Sequence, residues 1–126
     1  MYIERHEVAV TTNGSGAFTG YTAKVRGIVH QIRYVPDGSA PLDTGADVDI
    51  TGEVTGTVLL DKDNIGTAAF NVAPRQPTHD TGLAASLYAS GGEPVEAPIA
   101  MADERIKVVI ASGGSAKAGT FHIWVG

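Results

Sequence analysis

Apolar and polar residues alternate along most of this chain, and glycine-rich turns interrupt the alternation. A period of two predicts short strands with one buried face, because successive strand side chains point to opposite sides. His6, Val8 and Val10 fall on one face and Arg5, Glu7 and Ala9 on the other, before Asn13-Gly14-Ser15-Gly16 supplies the positive-φ positions of a turn. From Gly20 to Pro36 the phase changes: Tyr21, Ala23 and Val25 share one parity, Ile28, Ile32 and Tyr34 the other. One residue inserted at Gly27, a bulge or bend, restores all six to one side and carries a long strand from one sheet to another.

Ala46, Val48 and Ile50 alternate with Asp47, Asp49 and Thr51, Val54 to Leu60 is more apolar, and Ala68, Phe70 and Val72 form a further alternating run. Residues 74–98 carry four of the six prolines and read as a long loop, with two helical turns expected at Leu83 to Ala89. At the end, Ile106, Val108 and Ile110 match Phe121, Ile123 and Val125 across a Ser112-Gly113-Gly114-Ser115 turn, which predicts a C-terminal hairpin. Val109, Ala111 and Trp124 make its second face apolar as well, so that face lies either in the core or in an interface. The sum is an all-β chain: a single β-sandwich or jelly-roll-like barrel spanning residues 1–126.

Composition narrows the function. The chain has 126 residues, no cysteine and a formal net charge of −5, which removes disulfides, thiolate chemistry and a positive field for nucleic acid or anionic lipid. No stretch reaches the roughly 18 apolar residues of a membrane span or resembles a signal peptide, so a cytoplasmically made, membrane-independent protein is expected.

Leu42-Asp43-Thr44-Gly45-Ala46 resembles the signature of retroviral-type aspartic proteases, in which two aspartates share a proton. The preceding Pro36-Asp37-Gly38-Ser39-Ala40-Pro41 is turn-like where that family has an apolar strand, so Asp43 is expected to be structural. Asp61-Lys62-Asp63-Asn64-Ile65-Gly66 opens like a calcium loop but has Ile65 at a ligand position and Val72 in place of the bidentate glutamate. A looser calcium site from Asp43, Asp47 and Asp49 competes with the reading of solvated acids on a strand face. The histidines at 6, 30, 79 and 122 have no zinc spacing, and no serine sits in a Gly-x-Ser-x-Gly elbow. The expectation is a protein without catalytic residues, cofactor or resident metal.

Ala102 to Ile110, Gly119 to Val125, Ile32 to Gly38, Asp47 to Glu53 and Pro74 to His79 together resemble small proteins encoded among the head and tail structural genes of tailed bacteriophages. The resemblance implies a virion component: a capsid decoration protein stabilising the head, with a neck or tail component as the alternative. It implies as partners the major capsid protein or neck and tail proteins, and a homo-oligomer. By residue type, Trp124, Val109, Arg75 and Tyr88 are the interface candidates.

Overall fold

The computed structural model describes residues 2–126 and is all β. Its strands are β1 (Glu4–Thr11), β2 (Phe18–Pro36), β3 (Asp47–Gly52), β4 (Val58–Lys62), β5 (Phe70–Val72), β6 (Arg75–Pro77), β7 (Glu96–Ala111) and β8 (Ala118–Val125). All pair antiparallel in the order β1-β8-β2-β7-β3-β4, with β5 added to β2 and β6 to β7.

The 19-residue β2 organises everything. Its first half pairs with β7, from Phe18↔Ile110 to Val29↔Ile99; its second half leaves β7 and pairs with β8, from Val29↔Val125 to Pro36↔Gly119. The sheet thus folds about β2 into two layers, β1-β8-β2-β5 and β2-β7-β3-β4, and remains unclosed. Val8, Val10, Ile32, Tyr34, Phe121 and Ile123 from one layer meet Val48, Ile50, Ile106, Val108 and Ile110 from the other in one core. The expected all-β, sandwich-like class is what forms.

The bend is made differently from the single insertion expected at Gly27. Register shifts occur between Tyr21 and Lys24, between Val25 and Arg26, and between Val29 and Gln31. The middle one places its extra residue on β7, at Asp103, where φ is 57°. As a result Thr22, Val25, Val29, Ile32 and Tyr34 turn inward, while Tyr21 and Ala23 point outward and Ile28 is half-buried. A strand wrapped around a core must be re-aimed repeatedly, and each bulge does part of it. Gly27 has another duty: at φ 108° a Cβ there would lie 2.7 Å from the Gly126 carbonyl carbon, where the Ile28 N–H donates to the Gly126 carbonyl at 3.0 Å.

Two further expectations are corrected. β7 and β8 form no hairpin, because β2 lies between them. Their inner rows match in kind because both face the same core from opposite layers, and burial dictates that composition whether or not the strands are bonded. Leu83 to Ala89 is not helical, and the mostly loop stretch 74–98 contains short pairings. β6 pairs with the first residues of β7, Arg75↔Pro98 through Pro77↔Glu96. Beyond it the Thr78 N–H donates to the Val95 carbonyl (2.8 Å), the Ser86 N–H to the Thr78 carbonyl (3.0 Å) and the Val95 N–H to the Ser86 carbonyl (2.8 Å). Residues 75–98 form a loop-rich arm held by the β6–β7 pairing, two isolated bridges, His79↔Ala85 and Leu87↔Pro94, and these backbone bonds. The eight residues between Gly82 and Gly91 are too few to sustain an isolated helix against those bonds.

Candidate assembly surfaces

The four interface candidates fall in three places. Trp124 lies on the outward side of β8, half-buried between Arg5 and Gln31, its ring 6.0 Å from that of His122. Val109 is half-buried on the outward side of the other layer, opposite Thr19 and Asp49. Neither belongs to the core, and the two do not share a patch. Arg75 is exposed at the root of the arm, and Tyr88 is 76% exposed within it. Leu83 and Leu87, which residue type did not single out, join Tyr88 among the arm's exposed apolar side chains.

The arm tip is a defined turn. Asp80 Oδ1 accepts the N–H groups of Gly82 (2.8 Å) and Ala84 (3.0 Å), and the Asp80 carbonyl accepts the Leu83 N–H at 3.1 Å. Leu83 sits at φ 68°, a region that disfavours large side chains.

Among the described residues, two openings at the edges of the unclosed sheet stand out by their chemistry. Between β1 and β2 the opening is polar, about 280 Å³, and lined by Glu4, His6, Lys24 and Arg26. The other, near 300 Å³, lies between the edge strands β4 and β5 and is lined by Leu60, Ile65, Phe70 and Val72, with Lys62 as its one charged lining residue. Leu60, Phe70 and Val72 also pack against the core, so this groove is the core reaching the surface.

The remaining polar clusters hold loops or stand apart. Glu104, buried just after the bulge at Asp103, accepts the N–H groups of Val54 (3.0 Å) and Thr55 (3.1 Å) and the Thr55 hydroxyl (2.9 Å). These donors, led by the Thr55 backbone, hold its carboxyl below the usual glutamate range. Arg105 pairs with Glu53 and lies 4.0 Å over the Tyr21 ring. Asp49 faces Asp61 across β3 and β4; the hydrogen bond between the two carboxyls, then burial and the charges of Asp61, Asp63 and Asp47, raise its pKa.

Asp43 lies in a surface turn, its side chain 55% exposed and 4.0 Å from Lys117 Nζ. That is not the buried strand end a shared-proton dyad needs. Nor do Asp43, Asp47 and Asp49 converge: Asp47 accepts the Asn64 N–H at 3.1 Å, Asp49 faces Asp61, and the described residues contain no group of three or more acidic or histidine side chains able to hold a metal. The looser calcium site is therefore not assembled.

No protein-family model matches the chain, and no curated protein matches its sequence. Among solved structures, the crystal structure of FLHE is similar at a TM-score of 0.41 and 12% identity, over 98% of this chain and 95% of that one. Similarity of that degree assigns no activity.

Proposed function

We propose that this chain is a non-catalytic assembly subunit of a tailed-phage virion, acting as a capsid decoration protein that attaches through its projecting arm. The observation that carries the reading is the arm itself: 24 residues, 75–98, ordered by their own hydrogen bonds yet leaving Leu83, Leu87 and Tyr88 to solvent. Ordering a segment costs conformational entropy, and in most proteins exposed apolar side chains give little back. An arm of this kind is repaid when a partner covers it. The sequence resemblance supplies the virion context.

The test is attachment. Purified chain is mixed with undecorated phage heads and sedimented, and bound copies are counted by quantitative gel. Saturable binding at hundreds of copies per head supports decoration, and a few tens or fewer moves the role to the neck or tail. Binding unchanged after residues 78–95 are replaced by a short Gly-Ser turn would overturn the role of the arm.

A further inference from the structure

We infer that two copies of this chain pair along the free edge of β1, antiparallel about a two-fold axis at His6, so that Arg5 of each copy lies opposite Glu7 of the other. The inference concerns β1 alone and is independent of what the arm binds. The edges of the sheet are not alike. β4 is five residues long and shifts register against β3 between Ile50 and Thr51, β5 and β6 have three residues each, and the first half of β2 is interrupted by register shifts. Short and bulged edges resist pairing with another chain. β1 has none of these devices: its eight residues follow β8 in one unbroken register, without a proline, and its other side has no strand partner among the described residues.

The Thr12 N–H donates to the Lys117 carbonyl at 2.9 Å, and these two residues continue the register of β1 on β8, so the even-numbered residues of β1 form its hydrogen-bonded pairs. The N–H and carbonyl groups of Arg5, Glu7, Ala9 and Thr11 therefore point along the free edge. A second β1 running antiparallel reaches them only by setting odd-numbered residues opposite odd-numbered ones. Charge chooses among those registers. Arg5 opposite Arg5, or Glu7 opposite Glu7, brings like charges together; the register between them sets Arg5 opposite Glu7 twice, once on each side of the axis. The rows that run from Arg5 and Glu7 across β8 and β2 add Trp124, Gln31, His122 and Arg33, and no second carboxylate. Glu4 and His6 lie on the other row, at the polar opening with Lys24 and Arg26. The same register brings Ile3 against Ala9 and Tyr2 against Val10, so two apolar side chains left exposed just ahead of β1 gain neighbours. The contact uses one surface of both copies, closes on itself and stops at a dimer, with one sheet layer running through both.

Charge exchange tests this in sedimentation velocity over a concentration series. Wild type should dimerise. Arg5→Glu and Glu7→Arg should each weaken association by about tenfold or more, since both facing pairs become repulsive, while melting as wild type does because the two side chains are exposed. Mixed in equal amounts the two variants should dimerise again, and so should the double variant Arg5→Glu/Glu7→Arg, because each restores opposite charges across the edge. The register is read by cross-linking in a chain that has no cysteine of its own. His6 meets its own copy on the axis in a non-hydrogen-bonded pair, with Cα atoms about 4.5 Å apart, so His6→Cys should oxidise to a linked dimer, whereas Glu4→Cys, four residues out of register, should not. A wild type that stays monomeric, single variants that associate like wild type, or a mixture that fails to recover would overturn the inference. Linkage through Glu4→Cys in place of His6→Cys would overturn the pairing of Arg5 with Glu7. Head binding is judged separately: a chain that dimerises through β1 but does not bind heads loses the virion role and keeps this contact.

Discussion

Gly119, on β8, faces the ring of Tyr34 on β2. A Cβ built at Gly119 would lie 2.7 Å from Tyr34 Cε1 and 3.2 Å from its hydroxyl oxygen, against the 3.5–4.0 Å of comfortable carbon contact. The ring cannot yield easily: it is wholly buried, stacked on Phe121 at 5.0 Å between centroids and tilted against Phe70 at 5.5 Å. Nor can β8, held between β1 and β2, retreat without disturbing two ladders. Gly119→Ala should therefore cost about 2–3 kcal/mol, the upper part of the range for overpacking. The reverse change belongs in the same experiment. The Tyr34 hydroxyl is buried without a hydrogen-bond partner, and desolvation raises its pKa against a weaker opposing influence from the Leu42 backbone. Tyr34→Phe should then be neutral or stabilising by up to about 1 kcal/mol, since an unpaired buried hydroxyl is a liability. Urea denaturation of both variants, compared at constant m-value, measures the differences. A Gly119→Ala variant within roughly 0.5 kcal/mol of wild type, or a Tyr34→Phe variant destabilised by more than about 1 kcal/mol, would refute the packing argument.

Three further outcomes are expected. Glu104→Gln should lower the melting temperature by several degrees and speed amide exchange at Val54 and Thr55, with Gly52→Ala acting alike because its Cβ would overlap the Glu104 carboxylate; unchanged exchange in both would discount the clasp. Asp49 has a folded pKa above its unfolded value, so it weakens the fold at neutral pH and the penalty lifts as pH falls through that folded pKa; Asp49→Asn should be more stable than wild type at neutral pH and lose its advantage in mild acid, as thermal melts across pH would show. Trp124→Ala should cost about 1–2 kcal/mol, less than the roughly 3–5 of a fully buried aromatic such as Phe121, and equal losses in denaturant titrations would return Trp124 to the core.

Alternation was enough to identify what local sequence controls: β1, β3 and the inner rows of β7 and β8, where Val8, Ile50, Val108 and Ile123 take the buried face expected of them. It did not reveal which rows are neighbours, because the core selects the same residue types from both layers, and so β7 and β8 read as a hairpin. The bulges were half legible. Gly27 signalled a change of course, but the left-handed Asp103 and the shifts at Thr22 and His30 carry no glycine to announce them. In the arm, prolines and paired glycines concealed the three-residue β6, which exists because it pairs with the start of β7, and two isolated bridges beyond it. Its exposed leucines were invisible as such, since a leucine at the tip of a turn has the same letter as one in the core. The groove depends on which edges are left unpaired, a property of the whole sheet rather than of any segment.

β7 also has a mechanical meaning. It is one unbroken strand of 16 residues whose first three hold the root of the arm and whose last six are laced to β3. Tension applied to the arm along that axis enters the body parallel to the strand and meets the ladder between Phe18↔Ile110 and Val29↔Ile99 in shear. In shear many hydrogen bonds share the load and must give way together, whereas at β6 three residue pairs can peel open one after another. The joint therefore has a soft collar and a stiff keel: the arm can flex at its root under small sideways forces while an axial pull is spread across the width of the sandwich.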